Sequence, residues 1–161
     1  MIAIPAFFRD YQAQVDVELA RLVPAAGDPV QRSMAYTVLA PSKRVRPVLT
    51  LLAAELCGGT IDRAVPAAAV MELVHASSLI LDDLPSMDDA PLRRGRRANH
   101  LEFGEAIAIL AAFGLLNLSY GTIARAYDPA LAARLSARLA DAIGIDGLIG
   151  GQAADLLATE Q

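Results

Sequence analysis

The chain has 161 residues, room for one domain with a real core and too few for two ordinary ones. Apolar residues make up 55% and charged residues 20%, which excludes a disordered tail, while 14 Lys+Arg against 18 Asp+Glu argue against a general nucleic-acid binder. The single cysteine, Cys57, can neither close an intrachain disulfide nor build a Cys-based zinc site, so a reducing cytoplasm is the simplest compartment.

The segment Met1 to Arg9 carries no basic n-region and no A-x-A cleavage signal, so no signal peptide is read there. The sequence as a whole reads as helix. Alanine is abundant and evenly spread, and the alternation that marks strands is missing. Phe8, Tyr11, Val15, Leu19 and Leu22 recur at three- and four-residue steps and give a first amphipathic helix. Asp28 as N-cap and Pro29 at the first position open a second helix, which ends before Pro41. Pro47 is expected to open a third, closed by Gly58-Gly59. Asp62 is expected to cap a fourth, long helix that reaches about Asp83, with Pro85 limiting its extent.

The polar stretch 88–100 has no apolar face and is expected to be loop. An apolar helix is predicted from about Phe103 to Ala126. Its 19 uncharged residues, Ala106 to Ala124, approach the length of a membrane span. Asn117, Ser119, Tyr120 and Thr122 and the ordinary flanks Glu105 and Arg125 favour a buried helix, so no membrane span is expected. Asp128-Pro129 starts another helix to about Ile143, where Gly144 breaks it. A last helix begins near Asp146 and keeps its apolar pattern at Ala153, Leu156 and Leu157, so the sequence looks cut rather than finished at Gln161.

The chemistry sits between the fourth helix and the apolar one. Asp82-Asp83-Leu-Pro-Ser-Met-Asp88-Asp89 places four carboxylates within eight residues, directly after the apolar run Leu79-Ile-Leu81. Like charges crowded at the end of an apolar helix cost stability unless positive charge meets them. Hard divalent cations are the natural partner, and among them Mg²⁺ prefers few carboxylates, several waters and a substrate phosphate. The spacing and the missing glycine exclude a calcium-loop frame. Arg93-Arg94-Gly95-Arg96-Arg97 follows, and arginine forks match phosphate oxygens. The plain alternative is a loop that neutralises itself in solvent. His75 lies two helical turns before Asp82, on nearly the same face, either looking into the same cavity or satisfied in the core. Lys43-Arg44-Val45-Arg46 precedes Pro47 at a helix start, where anions are favoured; a solvated basic turn is the alternative.

At these residues the sequence resembles the trans-isoprenyl diphosphate synthases, which include farnesyl and geranylgeranyl diphosphate synthases. Lys43-Arg-Val-Arg-Pro47 resembles the family's K-R-x-R-P. The run from His75 through Asp82-Asp83 and Asp88 to Arg93-Arg94-Gly95 resembles its first aspartate-rich motif, D-D-x4-D with a trailing R-R-G. Gly147-Leu-Ile-Gly-Gly-Gln-Ala-Ala-Asp155 resembles its later G-x-x-x-G-Q-x-x-D segment. Asn99-His100 and Phe103-Gly-Glu105 extend the match.

The resemblance implies an all-α helical bundle of the isoprenoid synthase type, here a single helical domain over 1–161 that would be the N-terminal half of the full fold. It implies Mg²⁺-dependent head-to-tail condensation of isopentenyl diphosphate with an allylic diphosphate in a cytoplasmic homodimer paired through the Phe103–Ala126 helix. By matching positions, Asp82 and Asp88 would hold Mg²⁺ on the allylic diphosphate, Asp83 would support them, and Arg93 would contact that diphosphate. Lys43, Arg46, His75 and Arg94 would hold isopentenyl diphosphate. Ser77 and Ser78, one turn below Asp82, would set chain length; both are small where farnesyl makers often carry an aromatic, so C20 (geranylgeranyl diphosphate) is the expected product, with C15 the shorter option.

The sequence departs from the family in Ala40-Pro41-Ser42, where G-G is usual, and in Leu81, where a His is common. No second D-D-x-x-D occurs in the 161 residues. Taken alone they are expected to be inactive or nearly so. A non-catalytic partner subunit and an inactive diphosphate-binding module are the alternatives to an enzyme.

Overall fold

In a computed structural model of the chain, residues 6–159 are described. The expectations about Met1 to Pro5 and about the chain's last two residues lie outside them. Eight helices and one short hairpin occur among the described residues: α1 Ala6–Leu22, α2 Pro29–Val38, α3 Val45–Leu56, α4 Ile61–Asp82, β1 Leu92–Arg93, β2 Arg96–Arg97, α5 Asn99–Phe103, α6 Glu105–Ala126, α7 Pro129–Ile143 and α8 Leu148–Thr159. The fold class is all-α, as the composition and the resemblance imply. The described residues form two compact units, one through Thr122 and the other from Ile123.

In the first unit α4 is the central element. Its Ala64, Ala68, Ala69, Leu73, Ala76 and Ile80 are buried against Val15 and Leu19 of α1, Val38 of α2, Leu51 of α3 and Ala108, Ala111, Ala112 and Leu115 of α6. The alanines matter because small side chains let helix backbones approach. The approach is close enough that the Ser77 hydroxyl donates across the seam to the Ala112 carbonyl at 2.9 Å. Both α4 and α6 have the length and hydropathy of a membrane span, and 56% of the apolar window of α4 is buried inside the protein, as a core helix requires.

The capping signals act as expected. The Asp28 carboxylate accepts from the Gln31 amide and the Gln31 side chain accepts from the Asp28 amide, a complete capping box. Asp128 accepts from the Leu131 amide at the start of α7. Gly58, at φ 78°, turns the chain out of α3.

Four boundaries differ from expectation. α3 opens at Val45 rather than Pro47, because a proline inside the first turn gives up an amide that has no helical partner anyway. Thr60, not Asp62, is the N-cap residue of α4; Asp62 lies in the first turn, where its charge still complements the helix dipole. Gly104, at φ 87°, separates a short α5 from α6, and α8 begins at Leu148 rather than near Asp146. The stretch expected as loop holds the β1–β2 hairpin, in which Arg93 pairs with Arg96. Its two central residues, Arg94 and Gly95, have φ 54° and 75°, the double positive φ of a tight hairpin turn.

Asn99 fastens α5 to α2. Its amide donates to the Ser33 carbonyl at 2.9 Å and to Thr37 Oγ1 at 2.8 Å, and its oxygen accepts from Ser33 Oγ at 2.7 Å. The substitution Asn99→Leu strands a buried hydroxyl and a buried carbonyl, so it is expected to destabilise the fold by about 2–3 kcal/mol. A shift of the urea midpoint measures it.

Candidate functional site

The acidic end of the site is built by the exit of the chain from α4. The helix stops at Asp82, and the next residues curl back onto it. The Asp88 amide donates to the Asp82 carbonyl at 2.8 Å, and the Ala90 amide reaches the Asp83 carbonyl at 3.3 Å. The return brings Asp88 beside Asp82 although six positions separate them (88 − 82 = 6). Asp89 makes the return possible at φ 46°, a left-handed conformation that Asp tolerates.

Asp83 points inward and is buried. Arg93 holds it, with both Nε, at 2.8 Å, and Nη2 donating to Asp83 Oδ1. The hydrogen bond donated to Asp83, then the charges of Asp83, Asp82 and Asp88, raise the Arg93 pKa above its ordinary value against the opposing effect of burial. Arg93 therefore stands amid three carboxylates.

Among the described residues no three His, Cys, Asp or Glu side chains gather closely enough to cage a metal ion. Asp82 and Asp88 still suit a hard cation that keeps most of its shell in water and phosphate oxygens, since such an ion needs only one or two carboxylates. They are the residues that could hold Mg²⁺.

A second feature draws on the turn into α3. Pro41, Ser42, Lys43, Arg44, Val45, Arg46, Glu72, His75 and Arg94 line an open cavity of about 360 Å³. Three elements contribute: the turn into α3, the middle of α4 and the hairpin. Arg46 Nη1 donates toward His75 Nε2 at 3.4 Å. Burial, then the charge of Arg46, lowers the His75 pKa below its ordinary 6.5; Arg94 and Arg93 act the same way and Glu72 opposes them. A neutral ring that accepts from Arg46 is the consistent state.

A family description of polyprenyl synthetase matches residues 28–161. The chain belongs to the polyprenyl synthetase family. It is 46% identical over 150 residues to a geranylgeranyl diphosphate synthase of Pantoea ananas, covering 89% of this chain and 50% of that protein. It is 39% identical over 161 residues to a farnesyl diphosphate synthase of Geobacillus stearothermophilus, covering 96% of this chain and 54% of that one. Among solved structures, an FPP/GFPP synthase from Zymomonas mobilis superposes with a TM-score of 0.90 at 31% identity, over 96% of this chain and 58% of the other. The chain thus spans about half the length of the curated relatives it matches.

The polyprenyl synthetase fold sorts the sequence-predicted residues into two groups. Lys43, Arg46, His75 and Arg94 come together in the open cavity. Asp82, Asp83, Asp88 and Arg93 come together at the end of α4. Ser77 and Ser78 belong to neither group. Ser77 is buried in the α4–α6 seam, and half-buried Ser78 donates to the His75 carbonyl at 2.9 Å. The G-x-x-x-G-Q-x-x-D segment falls in the second unit, mostly within α8.

Two residues that sequence reasoning missed are Glu72 and the true role of Arg44. Both side chains are buried and joined to each other at 2.7 Å. One signal was available: Glu72 is the single carboxylate between Asp62 and Asp82 in a mostly apolar helix.

The lowered His75 pKa has a definite sign in stability. Unfolded His75 takes up a proton as pH falls through about 6.5, while the folded ring resists until lower pH, so the unfolded chain binds more protons in that window and stability drops with pH. Between about pH 7 and pH 5 the wild-type protein is expected to lose more stability than His75→Gln, which cannot titrate. Urea denaturation of both proteins at the two pH values checks this.

Proposed function

We propose that these residues form the diphosphate-gripping half of an isoprenyl diphosphate synthase, which joins isopentenyl diphosphate head-to-tail to an allylic diphosphate with Mg²⁺. The observation that supports it best is the sorting of adjacent Arg93 and Arg94 onto two different sites. Arg93 stands with Asp82, Asp83 and Asp88, while Arg94 enters the cavity with Lys43, Arg46 and His75.

In this reading each site takes one diphosphate. Lys43, Arg46 and Arg94 supply fixed positive charge to isopentenyl diphosphate, and neutral His75 adds a polar contact. Arg93 contributes charge at the allylic side, where Asp82 and Asp88 would hold Mg²⁺ and Asp83 keeps Arg93 in place. Mg²⁺ bound there would neutralise negative charge gathering on the departing diphosphate. The allylic carbon then meets the double bond of isopentenyl diphosphate, and the released diphosphate is the implied acceptor of the proton lost at the end. Apolar walls along α4 and α6 serve to exclude water from the cation.

The reading extends to a cytoplasmic homodimer. Leu110 and Phe113, exposed on α6, offer an apolar surface that a second copy would cover.

The decisive test is a condensation assay on the protein at its native length, with radiolabelled isopentenyl diphosphate, geranyl diphosphate and Mg²⁺. Product that requires Mg²⁺ is expected; complete absence of product and of ligand binding would overturn the reading. Asp82→Asn and Asp88→Asn should each lower turnover roughly a hundredfold, the scale for removing one stabiliser of developing negative charge.

Chain length is proposed as C20, with C15 the shorter option. Ser77→Phe must force an aromatic ring into the α4–α6 seam, so it is expected to shorten the longest product and to cost about 1–3 kcal/mol by overpacking. Chromatography of dephosphorylated products reads the first effect and thermal unfolding the second. An unchanged product profile would remove Ser77 from chain-length control.

A further inference from the structure

Glu72 is a buried acid with no part in the reaction proposed above, yet it touches residues that have one. Its Oε1 accepts from Arg44 Nη1 at 2.7 Å and from Ser42 Oγ at 3.3 Å, and Arg94 Nη2 reaches the same oxygen at 3.5 Å. The side chains of Glu72 and Arg44 are each only 3% exposed, so this carboxylate is unavailable to a ligand in bulk and acts on its neighbours.

Arg44 is the link to the turn before α3. Its Nε donates to Asp16 Oδ1 and its Nη2 to the Val38 carbonyl, both at 2.8 Å. Its backbone sits at φ 49°, a left-handed conformation that costs a residue with a Cβ on the order of 1 kcal/mol and persists only where surroundings enforce it. That conformation lies between Lys43 and Arg46, so whatever holds Arg44 also sets where those two cations project. Glu72 thereby joins two distant stretches of chain, the turn into α3 and the hairpin, at a single oxygen atom.

We propose that Glu72 is a positioning residue that fixes Lys43 and Arg46, through Arg44, and Arg94 directly, at the spacing one isopentenyl diphosphate needs. The proposal deepens the functional reading above and rests on it. Two arginines drawn to one carboxylate oxygen, at 2.7 and 3.5 Å, have less room to drift apart, and a diphosphate that bridges preset cations loses less freedom on binding than one that must gather them. The allylic site is built on Asp88, Arg93 and Asp82, which lies ten residues along α4 from Glu72 (82 − 72 = 10), about 15 Å by helix rise, so it should be indifferent to this oxygen.

The test is isothermal calorimetry on the protein at its native length, with isopentenyl diphosphate alone and, separately, with geranyl thiolodiphosphate plus Mg²⁺. Glu72→Gln removes the charge at nearly constant shape, and Glu72→Asp keeps the charge but withdraws it by one methylene. The Kd for isopentenyl diphosphate is expected to rise about tenfold in Glu72→Gln and about threefold in Glu72→Asp, while that of the allylic analogue changes less than about twofold. Should Glu72→Gln fail to fold, Glu72→Asp carries the same comparison. Unchanged affinity for isopentenyl diphosphate, or equal weakening of both ligands, would overturn the positioning role. A wild-type protein that binds neither ligand would overturn the functional reading itself, a failure distinct from that of Glu72.

Discussion

An apolar helix that buries two acids must be met by positive charge, and the arrangement around α4 follows from that need. Glu72 and Asp83 are 83 − 72 = 11 residues apart, about three helical turns, and both are buried. An unpaired carboxylate in such surroundings would cost several kcal/mol. Arg44 meets the first acid and Arg93 the second, and Arg94 reaches the first as well. Arg93 ends β1 and Arg94 opens the hairpin turn at φ 54°, and from there the two neighbouring side chains reach acids about three turns apart. Arg93 and Arg94 thereby tie the hairpin to the end and the middle of α4.

These pairs do more for geometry than for stability. A buried ion pair roughly repays its own desolvation, and an apolar replacement of equal volume would hold the fold about as well. What an apolar replacement could not do is fix guanidinium groups at defined points. An exposed pair such as Arg21–Glu18 shows the contrast: Arg21 is open to solvent, and pairs of that kind contribute about 0.2–1 kcal/mol and position nothing beyond themselves. Charge along α4 is buried where its neighbours carry the proposed chemistry and open where they do not.

Much of this was legible in the sequence. The helices announce themselves by apolar periodicity, and Asp28, Asp128 and Gly58 mark boundaries by mechanisms that act within a few residues. The acidic and basic clusters stand out because an apolar helix ending in Asp82-Asp83 makes little sense without partners. The hairpin stayed hidden because two-residue strands are too short for alternation to register, and its only local mark is Arg94-Gly95 at positive φ. Arg44 stayed hidden for a different reason. In the run Lys43-Arg44-Val45-Arg46 all three cations look equally suited to an anion, and only folding turns Arg44 toward Glu72 and Asp16. Long-range pairing of this sort, 28 residues apart in each case, leaves no local pattern to read.

The α4–α6 seam joins packing to the proposed chemistry in one last way. Small residues line it because the two backbones lie close, as the Ser77–Ala112 hydrogen bond shows. The same smallness would leave room for a growing hydrocarbon tail on the proposed reading. These demands conflict, since a wall tight enough to hold two helices together is a wall that a bulky side chain must push apart. A large residue at position 77 would then act on product length partly by filling space and partly by spreading the helices. Chain length on this view belongs to the spacing of α4 and α6 as a whole, and the Ser77–Ala112 hydrogen bond is one point that holds it.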